Sequence, residues 1–110
     1  MAETFKRFGG AVNSSDTTYD VATTNTGDIA VVLACTLTNI SGSDITANVR
    51  IVNSGNSTQS YLIYDATLAA GTALEVVQNK IVLEAGEKIV CYTNSNQNLY
   101  ATIAALQITS

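Results

Sequence analysis

The segment Leu68–Tyr92 contains one short pattern twice, first as Leu68-Ala69-Ala70-Gly71-Thr72-Ala73-Leu74 and fifteen residues later as Leu83-Glu84-Ala85-Gly86-Glu87-Lys88-Ile89. In each copy an apolar strand end is followed by an Ala-Gly pair and then by a new strand. Ala-Gly places glycine third in a four-residue turn, where a type II turn needs a positive φ. Because type II turns splay strands rather than match their twist, we expect both copies to be corners where the chain passes between sheets.

Alternation of apolar and polar residues predicts about seven to nine short strands separated by turn signals. In the most regular run, Ile29–Ile40, we expect one strongly apolar face made of Ile29, Val31, Leu33, Cys35 and Leu37. In the last run, Leu99–Thr109, the apolar positions change parity, so we expect a β-bulge near Ala104-Ala105. No segment has the sustained 3.6-residue spacing of a helix. The prediction is an all-β, single-domain antiparallel β-sandwich, and the two corners favour a jelly roll.

Length and composition indicate one domain. The chain has 110 residues, of which 46% are apolar and 13% are charged. A chain of this size buries about two thirds of its unfolded surface around a single core. We therefore expect it to fold without a metal ion or a disulfide.

The net charge of −4 bears on possible partners. Nucleic-acid binding depends on clustered basic residues, which an acidic chain lacks. The N-terminal residues 1–7 contain no apolar segment of signal-peptide length, and no run approaches the length of a membrane span. We expect synthesis in a cytosol and a protein that binds neither nucleic acid nor membranes.

Residues 1–12 form an N-terminal segment whose composition differs from that of the sandwich domain. We assign the sandwich domain to residues 11–110, so the two ranges share residues 11 and 12. The N-terminal segment contains both phenylalanines and two of the five positive charges, followed by a pair of glycines. One interpretation is a first strand whose phenylalanines fill the core. The other is an arm that docks on a neighbouring subunit, with the glycines as its hinge. The hypothesis of a partner-binding site therefore rests on Phe5, Lys6, Arg7, Phe8, Gly9 and Gly10.

Catalytic chemistry finds little support in the sequence. The chain has no histidine, which is the usual general base near neutral pH and without which no serine can form a catalytic triad. Glu84 and Glu87 flank the second corner, and Glu75 precedes it, which would allow a pair of carboxylates as in glycoside hydrolases. Glutamates beside a turn and next to Lys88 are more often solvated charges. We expect a protein that is not an enzyme and has no cofactor.

Metal binding is not expected either. Cys35 and Cys91 each lie inside a predicted strand, which favours free buried thiols, although a disulfide between adjacent strands stays open. Two cysteines without histidine rarely form a metal site. A calcium site would need the compact loop spacing of an EF-hand, which is absent from Asp16, Asp20, Asp28 and Asp44.

Four tyrosines could stack against sugar rings: Tyr61, Tyr64, Tyr92 and Tyr100. A β-sandwich is a common lectin scaffold, but the chain has no tryptophan. Tyr61 and Tyr64 have opposite parity on one predicted strand, so we expect them on opposite faces. Glycan binding is therefore an alternative function rather than the leading one.

A series of short motifs extends along nearly the whole chain: Phe5-Lys6-Arg7-Phe8-Gly9-Gly10, Tyr19-Asp20-Val21, Ile29 through Asn39-Ile40-Ser41, Ala70-Gly71-Thr72-Ala73-Leu74-Glu75-Val76-Val77, Lys80-Ile81-Val82-Leu83-Glu84-Ala85-Gly86-Glu87 and Leu106-Gln107-Ile108-Thr109. In this order they resemble a family of small virion proteins of tailed bacteriophages, frequent among marine and cyanobacterial phages. Members of that family often have proline before the Ala-Gly corners, where this chain has Ala69.

The resemblance implies a structural, non-enzymatic role in the virion, with synthesis in the cytoplasm of a bacterial host. It implies a capsid decoration (cement) protein that binds the major capsid protein or other virion proteins and forms homo-oligomers. A tail, neck or fibre-attachment component is the alternative within the same family. On this expectation Phe5, Lys6, Arg7 and Phe8 anchor the domain on the shell, with no small-molecule substrate.

Overall fold

The structure is a computed structural model, and it describes residues 2–12, 14, 17–23, 27–77, 80–94 and 98–109. Strands are its regular elements, and within these residues there is no helix. In chain order they are β1 (Ala2–Val12), β2 (Thr17–Tyr19), β3 (Ile29–Asn39), β4 (Ile45–Val52), β5 (Thr58–Leu68), β6 (Ala73–Glu75), β7 (Ile81–Glu84), β8 (Lys88–Thr93) and β9 (Leu99–Thr109).

The strands form two antiparallel sheets that pack on each other. Sheet A has the order β1-β9-β3-β6, and β7 also pairs with β3, beside β6. Sheet B has the order β2-β8-β4-β5. Apolar side chains from both sheets meet between them in one buried core. The predicted all-β antiparallel sandwich is confirmed.

Both Ala-Gly corners connect the two sheets, as predicted. The first joins β5 in sheet B to β6 in sheet A, and the second joins β7 in sheet A to β8 in sheet B. Gly71 and Gly86 have φ angles of +72° and +78°. The turns are closed by Thr72 N–H donating to the Ala69 carbonyl at 3.1 Å and by Glu87 N–H donating to the Glu84 carbonyl at 3.0 Å. Glycine is required at these two positions because other residues rarely adopt a positive φ.

A β-bulge lies in β3 rather than in β9. The pairing of β3 with β9 shifts between Val32 and Ala34, which leaves Leu33 as the extra residue. Strand β9 keeps one alternation throughout, with Leu99, Ala101, Ile103 and Ala105 all buried. The prediction of a bulge near Ala104-Ala105 was therefore wrong. The parity change seen in the sequence arises because the outer face of the end of β9 carries Leu106 and Ile108, whereas Gln107 follows Ala105 on the inner face and donates to the Val21 carbonyl.

The bulge also reverses the facing of the first half of β3. Before it, Ala30 and Val32 are fully buried in the core, and after it, Cys35 and Leu37 are. The prediction that Ile29, Val31 and Leu33 share the core face with Cys35 was wrong, because an inserted residue moves every earlier side chain to the opposite face. Ile29 and Val31 lie half-buried on the outer face of sheet A.

Asn39 joins the two sheets at one end of the sandwich. It is fully buried at the end of β3, and its Nδ2 donates to the carbonyl oxygens of Ser43, Leu68 and Ala69 at 3.0, 3.1 and 3.2 Å. Its Oδ1 accepts from the backbone N–H and the hydroxyl of Ser41 at 2.9 and 2.7 Å. Since Leu68 ends β5, this one side chain connects sheet A to sheet B and to the turn after β3.

Candidate functional site

Residues 2–12 form the edge strand of sheet A. Strand β1 pairs with β9 along its whole length, from Ala2 opposite Thr109 to Val12 opposite Leu99. Phe8 packs against the core, whereas Phe5 is 75% exposed. The structure therefore places the six residues of the partner-binding hypothesis in the first strand of the sandwich, with one of the two phenylalanines in the core.

Gly9 and Gly10 lie within β1, not at the boundary that a hinge would occupy. A Cβ on Gly9 would lie 2.3 Å from the carbonyl oxygen of Ala101, so glycine here allows β1 to approach β9. With Arg7 and Tyr100 they border a shallow depression of about 340 Å³. The two glycines thus shape the surface beside Phe5.

Four apolar side chains form a row across the outer face of sheet A. Phe5 lies opposite Leu106, Leu106 opposite Val31, and Val31 opposite Val82. The row, which we call the apolar row, therefore crosses β1, β9, β3 and β7 at adjacent positions. Val82 is 57% exposed, and the two middle residues are half-buried. Among the described residues, the two end members of the row thus stay exposed on the outer face of the sandwich, where a partner molecule could bury them.

Charged residues flank the apolar row with opposite signs on its two sides. On one side the next row consists of Glu3, Ile108, Ile29 and Glu84, so that a carboxylate lies at each end. On the other side Arg7 lies two residues after Phe5 on β1. Lys80 immediately precedes β7, two residues before Val82, and a continued alternation would place it on the same face. All four charged residues are exposed.

A second candidate site lies on the outer face of sheet B. Tyr61, Tyr64 and Tyr92 border a shallow pocket of about 270 Å³, together with Asn48, Arg50 and Asp65. The ring centroids of Tyr61 and Tyr64 are 5.1 Å apart with an interplanar angle of 83°, an edge-to-face contact. Asn48 Nδ2 donates to Asp65 Oδ1 at 3.1 Å, and Asp65 N–H donates to Asn48 Oδ1 at 2.8 Å. Aromatic rings and polar groups thus converge on one surface.

The prediction that Tyr61 and Tyr64 lie on opposite faces was wrong. Val49 pairs with Ile63 and the next residue, Arg50, pairs with Tyr61. Leu62 is therefore an extra residue, and this bulge reverses the alternation between the two tyrosines. Tyr100 lies on β9 in sheet A and is not part of this cluster.

The prediction that Cys35 and Cys91 are free and buried is confirmed. Burial, followed by the nearby Glu75 carboxylate, raises the pKa of the Cys35 thiol to about 12. Burial, followed by Cys35, raises the pKa of Cys91 still further. Burial also raises the pKa of Tyr19 to about 12, and both thiols add to that shift. These groups stay protonated and serve as core packing.

Four of the carboxylates considered for catalysis or metal binding, those of Glu75, Glu87, Asp28 and Asp44, have structural partners. Glu75 Oε2 accepts from the Cys35 N–H at 3.2 Å, and Glu87 Oε1 accepts from the Glu84 N–H at 2.7 Å. Thr23 donates its hydroxyl to Asp28. Asp44 accepts from the backbone N–H of Ala70.

Asp16, one of the four aspartates considered for calcium, lies outside the described residues. Among the residues that are described, no group of three or more Cys, Asp and Glu side chains is arranged to hold a metal ion. The same part of the chain contains no helix long and apolar enough to cross a membrane.

No protein-family model and no curated protein sequence matches this chain. Among solved structures, the chain is similar to the core of Drosophila NLP, described in terms of pentamer formation and histone binding, with a TM-score of 0.57, 16% identity and 99% of each chain covered. It also matches chains of infectious bursal disease virus particles, with TM-scores of 0.49 for the T13 particle and 0.43 for the Gx strain at 11% and 12% identity. The chain spans 31% of the length of those viral chains. The likeness to the NLP core shows a shared fold.

Proposed function

We propose that this protein is a structural, non-enzymatic component of a bacteriophage virion, a capsid decoration protein that binds the assembled shell and stabilises it. The series of motifs from Phe5 to Thr109 supports the virion assignment. The apolar row on the outer face of sheet A is the observation that carries the assembly role. A tail, neck or fibre-attachment component is the alternative within the same proposal.

The apolar row has the composition of an interface centre. Protein interfaces concentrate aromatic and aliphatic side chains at their centre and place charged groups at the rim. Here Phe5 and Val82 are the most exposed members, and the four flanking charges lie around them. The partners of the protein are the major capsid protein or other virion proteins, and further copies of the chain. The Drosophila NLP core is described as a pentamer, so the fold is compatible with homo-oligomers.

A decoration protein acts by mass action. A molecule that binds the assembled shell but not its free subunits stabilises the shell in proportion to its affinity and occupancy. The sandwich suits this role because residues far apart in the chain are fixed in one rigid unit by β1–β9 pairing and by the inter-sheet bonds of Asn39. The apolar row then presents a rigid surface, which limits the entropy lost on binding.

An image of the intact particle tests the proposal directly. Cryo-electron microscopy of purified virions is expected to show on the order of hundreds of symmetric copies on the shell. A single ring of about five to twelve copies would assign the protein to the neck or tail instead. Absence of the protein from particles that are otherwise complete would overturn the proposal.

A second candidate function, glycan binding, is favoured by the tyrosine pocket on sheet B. Tyr61, Tyr64 and Tyr92 offer ring faces for stacking, and Asn48 and Asp65 offer hydrogen-bonding groups for hydroxyls. Host recognition by a virion protein would use such a site. Since the chain has no tryptophan, its intrinsic fluorescence reports on tyrosine alone.

The glycan function is tested with a glycan array, followed by fluorescence titration of any sugar that binds. We expect Tyr64→Ala to weaken binding about fivefold or more, with the roughly 1–3 kcal/mol of ring stacking on an aromatic side chain as the guide. Tyr100→Ala, on sheet A, is the matched control and should leave the affinity unchanged. Equal binding by both variants, or no binding on the array, would reject this function.

A further inference from the structure

The charges around the apolar row form a self-complementary pattern, and we propose that this face binds a second copy of the chain across a two-fold axis that lies along the row. The inference rests on the assembly role proposed above. It specifies a second copy of the chain as the molecule that binds the apolar row. Three residues on the outer face of β1 show the pattern most simply: Glu3, Phe5 and Arg7 occupy alternate positions on one strand.

A two-fold axis along the row keeps each strand facing its own counterpart but reverses the strand direction. Phe5 then lies against Phe5 of the second copy. Glu3 lies against Arg7 of the second copy, and Arg7 against its Glu3. At β1 the rotation therefore brings the aromatic rings together and pairs every charge with the opposite charge.

The same rotation produces the same complementarity at the other side of the sheet. Glu84, the last residue of β7, lies on the acidic side of the row, and Lys80, just before β7, follows on the basic side. Glu84 therefore faces Lys80 of the second copy, and Lys80 faces its Glu84. Strand β1 and the segment 80–84, at opposite edges of the surface, thus carry the same order of carboxylate, apolar residue and cation.

The alternative two-fold axis, along the strands, gives the opposite result. That axis brings β1 of one copy against β7 of the other, and the acidic side of one copy then faces the acidic side of the other. Glu3 would then face Glu84, and Arg7 would face Lys80, so that like charges oppose each other at every corner. Because like charges placed across an interface disfavour the wrong arrangement, the surface selects the axis along the row.

The side chains fit the spacing of two packed sheets. Sheets that stack face to face lie about 10 Å apart, and the apolar row would fill the centre of that space. Ala104, opposite Arg7 on β9, and Ala34, opposite Ala104 on β3, are small, so they allow close approach beside the row. The long charged side chains can reach across the rim with their heads solvated.

Charge-swap variants examined by sedimentation velocity test the proposal. We expect the wild-type protein to dimerise, and Glu3→Arg or Arg7→Glu alone to weaken the dimer about tenfold or more, because each places like charges together at two symmetric contacts. An equimolar mixture of these two variants is expected to form a heterodimer, since all β1 charges are again paired with opposite charges. Lys6→Glu is the control: it changes the net charge as Arg7→Glu does, but strand alternation places it on the other face of β1.

A wild-type protein that stays monomeric up to millimolar concentration would overturn the inference, and so would a pentamer. The inference also fails if the mixture of swapped variants does not associate, or if Lys6→Glu weakens the dimer as much as Arg7→Glu does. Circular dichroism checks that each variant folds, and Lys80→Glu with Glu84→Lys repeats the experiment on β7 if a β1 variant does not.

The two proposals fail separately. If the protein is a monomer in solution but is found on virions, the two-fold contact is rejected and the virion role is retained. If it forms the dimer but is absent from virions, the virion role is rejected and the two-fold contact is retained.

Discussion

Replacing Asn39 with alanine tests how the two sheets are held together. The change removes one side chain with five hydrogen bonds, of which the bond to the Leu68 carbonyl is fully buried. An unsatisfied buried carbonyl costs about 1–3 kcal/mol, and each hydrogen bond lost elsewhere about 0.5–1.5 kcal/mol unless water replaces it. We therefore expect the free energy of unfolding to fall by about 3–5 kcal/mol. That is a large fraction of the roughly 5–15 kcal/mol that stabilises a typical domain.

Urea denaturation followed by far-ultraviolet circular dichroism measures the loss. The midpoint should decrease while the m-value stays constant, because the surface exposed on unfolding hardly changes. Asn53→Ala is the matched control: Asn53 Oδ1 accepts from the N–H groups of Gly55 and Ser57 at 2.9 and 3.0 Å in an exposed loop. Water can replace those bonds, so we expect a cost below about 1 kcal/mol. A loss for Asn39→Ala no larger than the loss for Asn53→Ala would refute the inter-sheet role.

The other predictions concern the β1 glycines and the two thiols. Gly9→Ala should destabilise the fold by about 2 kcal/mol or more, because its Cβ would meet the Ala101 carbonyl. Gly10→Ala should cost about 1–2 kcal/mol, since Gly10 has a φ of +137° but an added Cβ would meet no atom within 4 Å. Equal losses of stability for the two variants in thermal unfolding would contradict the clash at Gly9. The raised thiol pKa values predict that the two thiols leave the free energy of unfolding unchanged below about pH 8.5, where they are protonated in both states. Above that pH each thiol lowers the free energy of unfolding by about 1.4 kcal/mol per pH unit, because only the unfolded state ionises. Cys35→Ala/Cys91→Ala should lose that slope in alkaline urea titrations; an unchanged slope would show that other groups cause it.

The features that the sequence predicted well are those with a local chemical cause. Glycine at the third position of a turn requires a particular backbone angle, so both corners and their sheet-to-sheet crossings could be placed from the pattern alone. Strand β9 was predicted with the bounds it has in the structure, since turn signals precede it in the sequence.

The bulges at Leu33 and Leu62 could not be predicted for a physical reason. Each lies among apolar residues on both sides, so the alternation that would show a change of facing is absent. The apolar row was missed for a different reason. Its four residues lie on four strands, and only the register of those strands brings them together. The alternation of Glu3, Phe5 and Arg7 was a signal of this surface within a single segment, and so was the alternation of Lys80, Val82 and Glu84.

The pairing of β1 with β9 also determines when the outer face of sheet A can form. Within the described residues, strand β1 pairs in its sheet only with β9, and these are the first and last of the described strands. During synthesis the ribosome releases Phe5 before Leu106, so Phe5 can join the apolar row only after β9 has emerged. Contacts between such distant segments form slowly, because a long loop must close first. The outer face of sheet A is thus completed only when β9 is in place, after the other described strands of both sheets have been synthesised.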